Sequence, residues 1–437
     1  MKKRKVISIV LCMAMLMTTL NGCGQSSEKG TNDNSNGGTE QENSNTNSNE
    51  GNEEKIQLSF YIWQDEEAYI SDVVEQYNVS QDKVEVELTA LPNDEYDDKL
   101  KVLLAADSDV DIVDIRGMAQ VTTYANSGAL LDITDKIDAS DLNTNLYGEM
   151  WNASQNDGKR YALPTRSTCW ALFYNADLFD EAGISYPEQL TWDEYGDLAV
   201  ELMDATGEYG GYWVPWIFPF ASIQAGKYVN DEDTSMLAES LQLLNRFYNE
   251  DESHMSYAEI VATNPDYISE FTSERTAMLP NGEWCVQMLK EDEENGEIDF
   301  NWQIAPMPIS EGVEPGTTWG QFQFAGITST TDYPEEAFDF LEYLCGEPGA
   351  VVYSNHGMIH AYSGEATKDA YTQYVGKESA SYFFEANKIL EQPNTAGYGE
   401  VLTAFNEHAE LYLIGEKSIE ETIEAFESQR KSILEKY

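Results

Sequence analysis

From Lys55 onward the chain alternates between two hydrophobic periods. KIQLSFYIW (Lys55 to Trp63) has strand-like composition, and EEAYISDVVEQYN then places Ala68, Ile70, Val73, Val74 and Tyr77 at helical spacing. KVEVELTAL returns to strict alternation through Val84, Val86 and Leu88. NDEYDDKLKVLLAADS turns Tyr96, Leu100, Leu103 and Leu104 onto one helix face, and DIVDI is a short apolar strand. Strand, helix, strand, helix, strand in so short a span predicts a parallel sheet with crossover helices, hence an α/β protein. Ligands of such open sheets sit outside the carboxyl ends of the strands, which here are Trp63-Gln64-Asp65 and Asp114-Ile115-Arg116.

The pattern then changes. A turn at Asp157-Gly158 precedes a long β-rich run from Arg160 to Tyr174, followed by a helix that stops at Gly183. TWDE, Thr191 to Glu194, is a capping box ahead of another amphipathic helix. YGGYWVPWIFPFAS, Tyr209 to Ser222, is crowded with rings but broken by Pro215 and Pro219, so it predicts a stiffened loop rather than a helix. After further helices come the strand FNWQIAPMPI, the Gly/Pro-rich linker SEGVEPGTTWGQ and the strand FQFAGITSTT, and helices dominate from Pro334 to the end. Residues 55–437 exceed one ordinary core, so two lobes are expected.

The N-terminus changes the picture by naming a compartment. Lys2, Lys3, Arg4 and Lys5 precede the apolar run Val6 to Leu20, which is short for a spanning helix and right for a secretory signal. LNGC, Leu20 to Cys23, resembles a bacterial lipobox, which implies a signal peptide over residues 1–22 and a lipid on Cys23. Residues 24–54 carry no aliphatic or aromatic side chain, so residues 23–54 read as a lipidated cysteine and a disordered tether, with a reach of ~30 Å. The expected location is the extracellular face of the cytoplasmic membrane.

A formal net charge of −54 excludes nucleic acid as a partner, because phosphate binding needs a basic surface. Cys169, Cys285 and Cys345 remain after processing, in no CxxC spacing, and read as buried small apolar residues. His356 and His360 in HGMIH have an i, i+4 spacing, but Gly357 lies between them and no acidic ligand pattern is near, so no metal site and no cofactor are expected. GxSxG, HExxH and P-loop signatures do not occur.

Several segments, taken in order, carry a resemblance: YDDKLKVLLAADSDVDIVDIRG, YANSGALLDITDKI, DGKRYALPTRSTCWALFYNADLFDEAGI with TWDEY, FTSERTAMLPNGEW, APMPISEG, and PEEAFDFLEYLCGEPGAVVYSNHGMIHA. The chain resembles extracellular solute-binding protein family 1, the maltose-binding-protein-like sugar-binding components of ATP-binding-cassette importers. The resemblance implies a two-lobed, type II periplasmic-binding-protein-like fold. It implies crossings near Thr165 to Trp170, Pro306 to Gly320 and Gly349 to Gly357, with a first lobe of 55–165 plus 320–348 and a second of 166–319 plus 349–437. It further implies a monomer that takes a mono- or oligosaccharide in the inter-lobe cleft and delivers it to the permease subunits of the transporter, with no catalysis. Trp284, in NGEW, matches a frequent cleft tryptophan of the family, Trp216 lies close to a sugar-stacking aromatic, and Tyr398 falls where another ring is often supplied.

Sugar chemistry suits these residue types. The C–H faces of a pyranose favour flat rings, while its hydroxyl rim needs fixed donors and acceptors once water is excluded. Asp65, Asp114, Arg116, Arg166 and Gln321 fall where strand ends or hinge segments meet the cleft, and Trp63, Trp213, Trp216, Trp284 and Trp319 are the candidate platforms. Core packing is the competing reading for any one tryptophan, and an acid partner is the competing reading for Arg166. An extracellular glycoside hydrolase working through paired carboxylates, or a binding protein for a non-sugar solute, are the alternative functions.

Overall fold

The computed structural model describes residues 55–106 and 109–437. The signal peptide, Cys23 and the tether lie outside the described residues.

Among the described residues, ten strands form three sheets: β1 (Ile56–Trp63), β2 (Val84–Leu91), β3 (Ile112–Ile115), β4 (Ala162–Ser167), β5 (Trp170–Asn175), β6 (Met278–Gly282), β7 (Trp302–Ala305), β8 (Thr317–Gly320), β9 (Phe322–Ile327) and β10 (Asn387–Leu390). The first sheet has the order β2-β1-β3-β9-β4. β1 pairs parallel with β2 and β3, while β9 runs antiparallel to both β3 and β4. This topology brings the carboxyl ends of β1, β3 and β4 to one edge, together with the start of β9. Helices α1 (Glu67–Ser80) and α2 (Tyr96–Ala105) are the crossovers expected from the hydrophobic periods, and α3 (Met118–Asn126) follows β3.

Alternation within β1 explains how this sheet is packed on both faces. Leu58, Phe60 and Ile62 point to one side, where Ile70, Val73 and Tyr77 of α1 and the helix Pro334–Cys345 cover them. Trp63, with Val113 and Ile115 of β3, joins a separate cluster that includes Tyr96 and Leu100 of α2.

The long run from Arg160 to Tyr174 is not one strand. It divides into β4 of the first sheet and β5 of a second sheet, ordered β6-β5-β7 and antiparallel throughout. The break is held by Thr168, whose backbone N–H donates to the Gln321 carbonyl at 2.9 Å and whose Oγ1 accepts from the Gln321 N–H at 2.8 Å. Only a glycine fits opposite, since a Cβ on Gly320 would lie 2.0 Å from the Thr168 carbonyl oxygen. The segment read as a linker therefore ends in β8, which pairs parallel with β10 as a two-stranded sheet beside these passages.

The third passage was expected near Gly349 to Gly357, and here the packing differs. Val352, Tyr353 and Met358 belong to the core of the first sheet, Ile359 touches the second core, Ala361 and Tyr362 are still in a first-lobe cluster, and the chain is fully in the second core by Tyr371. The helix Glu347–Asn355 is thus first-lobe packing, because its apolar side meets α1 rather than the second sheet. Local signals fared as expected elsewhere. Thr191 and Glu194 form the capping box, and Gly183 ends its helix in the left-handed conformation.

Candidate functional site

The shared strand edge gathers charge around Arg166. Its Nε and Nη2 donate to Oε1 of Glu283 at 2.9 and 2.7 Å, while Oε2 of Glu283 accepts from the Cys169 N–H at 2.9 Å. Arg166 stands on β4 and Glu283 directly follows β6, so the pair joins the two sheets. Both side chains are buried, at 8% and 0% exposure. Glu66, just past β1, places Oε1 3.9 Å from Nη1 of Arg166 and accepts from the Tyr69 hydroxyl at 2.6 Å. Asp114, at the neighbouring strand end, is fully buried, and Oε2 of Glu66 and Oδ2 of Asp114 have no hydrogen-bond partner among the described residues. Burial, followed by the charge of Glu66, disfavours the ionised form of Asp114 and raises its pKa above the ordinary carboxylate value.

Beside this cluster lies a cavity of about 360 Å³ lined by Arg116, the first turn of α3, Gln321 and Phe322, and closed by the segment from Leu390 to Asn394. Asn394 donates to Thr122 of α3 at 2.7 Å and so ties that segment to the first sheet's helices. The Arg116 guanidinium lies 4.4 Å over the Trp63 ring and donates to the Asn93 carbonyl at 3.0 Å. Asp65 is exposed, its N–H donating to the Asn93 side chain at 3.2 Å. At the other side, Glu391 accepts from the Trp170 indole at 3.2 Å, and burial pushes its carboxyl up to about 7.

Aromatic rings line the second-lobe side. Trp216 is 47% exposed and meets Tyr267 edge-on at 5.6 Å. The Tyr267 hydroxyl donates to the Met288 sulfur at 3.6 Å, and Trp284 and the charge of Asp65 from the opposite lobe both act on it. Trp284 is half-buried, packs against the cores of both lobes, and meets Trp170 at 5.5 Å. Its seat depends on Gly282, where a Cβ would fall 2.0 Å from the ring.

The structure therefore separates the candidate residues. Asp65, Arg116, Trp216, Trp284 and Gln321 retain exposed or half-buried surface. Trp213 does not: it is fully buried, with its indole N–H on the Ile217 carbonyl at 3.2 Å, because the proline-stiffened loop turns it inward against Trp192 and Phe220. Trp319 is likewise fully buried against Trp170, and Trp63 is 3% exposed beneath Arg116. Asp114 is fully buried at the Glu66 carboxyl, and Tyr398 is 4% exposed beside Tyr228. Arg166 is engaged by Glu283. Glu66, Glu283, Glu391 and Tyr267 were not singled out from sequence; Glu283 stands inside NGEW, but acids are so frequent in this chain that none signals its own burial.

His356 pairs with Asp72 at 2.8 Å, and His360 is buried on the Leu344 carbonyl, so the two imidazoles have separate partners. Among the described residues no group of three or more His, Cys, Asp or Glu side chains could hold a metal ion. Among them, too, no helix is long and apolar enough to cross a membrane.

Two α/β lobes joined by three chain passages, with an arginine bridge and a polar and aromatic cleft at the crossing, define a two-lobed binding protein of the periplasmic type. The match to the family model described as bacterial extracellular solute-binding protein runs over residues 63–351. The chain belongs to that family, whose members are binding proteins placed outside the cytoplasm. A relative named multiple sugar-binding protein, from Streptococcus mutans, is 23% identical over 313 residues, 67% of this chain and 71% of its own. A relative named arabinooligosaccharide-binding protein, from Halalkalibacterium halodurans, is 24% identical over 217 residues, 44% of this chain and 45% of its own. Among solved structures, a sugar transporter protein from Rhizobium etli in an open conformation superposes with a TM-score of 0.78 at 25% identity, covering 86% of this chain and 99% of that one. The sugar-binding protein MalE from Xanthomonas citri gives 0.72 at 17% identity, over 87% and 98%.

Proposed function

We propose that this chain captures a carbohydrate, mono- or oligosaccharide, in its inter-lobe cleft and delivers it to the permease of an ATP-binding-cassette importer. The observation that carries this assignment is the aromatic row Trp216, Tyr267 and Trp284, with Tyr267 within reach of the Asp65 charge, together with the cavity that Arg116 and Gln321 line. The rings offer flat apolar surface to sugar C–H faces, and the polar groups offer acceptors and donors to the hydroxyl rim. The names of the relatives support the same ligand class. Contact with both lobes favours the closed form, which is what a permease has to distinguish. We further propose that the chain acts as a monomer held by a lipid on Cys23 at the extracellular face of the membrane.

The buried carboxyl pair speaks against hydrolysis. Glu66 and Asp114 are 2% and 0% exposed, whereas the carboxyls of a glycosidase must flank the scissile bond of a bound sugar. Calorimetric titration with maltose, maltotriose, mannotriose and arabinotriose, followed by chromatography of the same samples, tests the assignment. Binding of at least one sugar without cleavage is expected; turnover, or a failure to bind sugars together with binding of another solute class, defeats it. Radiolabelled palmitate should enter the wild-type chain in a lipoprotein-competent bacterium and not Cys23→Ala.

A further inference from the structure

A second cavity, of about 280 Å³, is lined by Ser167, Phe322 and Lys388, by Tyr147 and Ser363, and by Phe383. Tyr147 belongs to the first-lobe core and Phe383 to the second, so this cavity too lies between lobes. Its position relative to the cleft follows from strand geometry. Arg166 and Ser167 are consecutive on β4, and consecutive side chains of a strand point to opposite faces. Arg166 reaches Glu283, whereas Ser167 opens on this second space. Phe322 is a wall of both cavities.

Lys388 is the unusual group. Its Nζ donates to the Ser167 Oγ at 2.9 Å, and among the described residues no ion pair joins it to a carboxylate. Lys227, Lys290, Lys377 and Lys436 each have a carboxylate partner. Among the described residues Lys388 and Lys417 are the half-buried lysines without a carboxylate partner; Lys417 meets His408, whereas Lys388 lines this cavity. Partial removal from water is costly for such a charge unless an anion accompanies it. The Ser167 hydroxyl, which accepts from Nζ, keeps its own proton to donate. Tyr147, Phe322 and Phe383 supply apolar walls.

We propose that this cavity binds a small organic carboxylate, with the acid group on Lys388 Nζ and Ser167 Oγ and the apolar body against the three rings. An occupant held by both lobes biases their opening, and by linkage its binding and that of the cleft ligand affect each other. The site does not depend on what the cleft holds.

The test uses the purified chain with sodium butyrate and sodium benzoate, sodium chloride at equal ionic strength, and benzyl alcohol as a neutral shape match. Melting temperature and calorimetric stoichiometry are read. At least one carboxylate is expected to raise the melting temperature with one site per chain, benzyl alcohol to give no shift, Lys388→Met to abolish the response and Lys388→Arg to keep it. No response to either carboxylate, an equal response to benzyl alcohol, or an undiminished response in Lys388→Met overturns the proposal. If Lys388→Met does not fold, Ser363→Phe fills the cavity from its half-exposed rim: loss of the carboxylate shift supports the site, and retention overturns it.

Discussion

Arg166 and Glu283, more than a hundred residues apart in sequence, form a buried ion pair that ties the first sheet to the second, with two guanidinium nitrogens on one carboxylate oxygen at 2.9 and 2.7 Å. The second carboxylate oxygen accepts from the Cys169 N–H, so three of the acid's roughly four acceptor positions are filled within the protein. The pair supports the passage between lobes, and any ligand contact by Arg166 comes in addition to it.

Removal of one partner leaves the other charge buried and alone. Arg166→Met is expected to destabilise the chain by about 3–5 kcal/mol, measured as a lower denaturant midpoint. The double variant Arg166→Met with Glu283→Gln should recover part of that loss, because no uncompensated charge then remains.

Two tryptophans three positions apart should behave oppositely. Trp213→Ala opens a cavity in the second-lobe core and is expected to cost about 3–5 kcal/mol of stability. Trp216→Ala, at an exposed position, should leave stability within about 0.5 kcal/mol and weaken carbohydrate binding at least ~10-fold. Denaturation and sugar titration on the same preparations separate the two effects.

Glu391 makes a pH dependence testable. Its carboxyl is pushed up to about 7 by burial, with the Trp170 hydrogen bond opposing and the Glu283 charge adding. The folded chain therefore keeps this proton where the unfolded chain has lost it. The stability it contributes is present below the ordinary glutamate range and is lost as pH rises through about 7. His254 and His360, lowered to about 3 by burial, act in the other direction, their contribution being lost as pH falls from the ordinary histidine range. Melting curves from pH 5 to 8 should thus be compared between wild type and Glu391→Gln, and the difference between them should change in favour of the variant as pH rises.

Burial, and next the charge of Glu66, disfavour the ionised form of Asp114. Asp114→Asn, which keeps the shape without the charge, is expected to stay within about 1 kcal/mol of wild type at pH 7. Asp114→Ala, which leaves a void at the strand end, should lose about 1–3 kcal/mol. Equal losses in the two variants would show that Asp114 is ionised.

Much of the architecture could be read in advance. α1, α2 and β1 to β3 follow from side-chain periods within each segment, and the Thr191 cap from four consecutive residues. The run Arg160 to Tyr174 shows where such reading stops. Its composition is that of one strand, but hydrogen bonds to Gln321, far along the chain, divide it between two sheets. The third passage was placed too early for the same reason, since the helix Glu347–Asn355 is positioned by contacts with α1.

The sequence by itself determined the α/β alternation, the strand ends where polar groups gather, and the segments that resemble a two-lobed binding protein, because these depend on neighbours a few residues away. Tertiary structure decided which rings are offered to solvent and which acids are buried. Trp213 and Trp216 share one loop and one composition, and only the packing of Trp192 and Phe220 against Trp213 distinguishes them. Glu66, Asp114, Glu283 and Glu391 are four acids among 79, and what sets them apart is burial at a junction of strands brought together from the whole length of the fold.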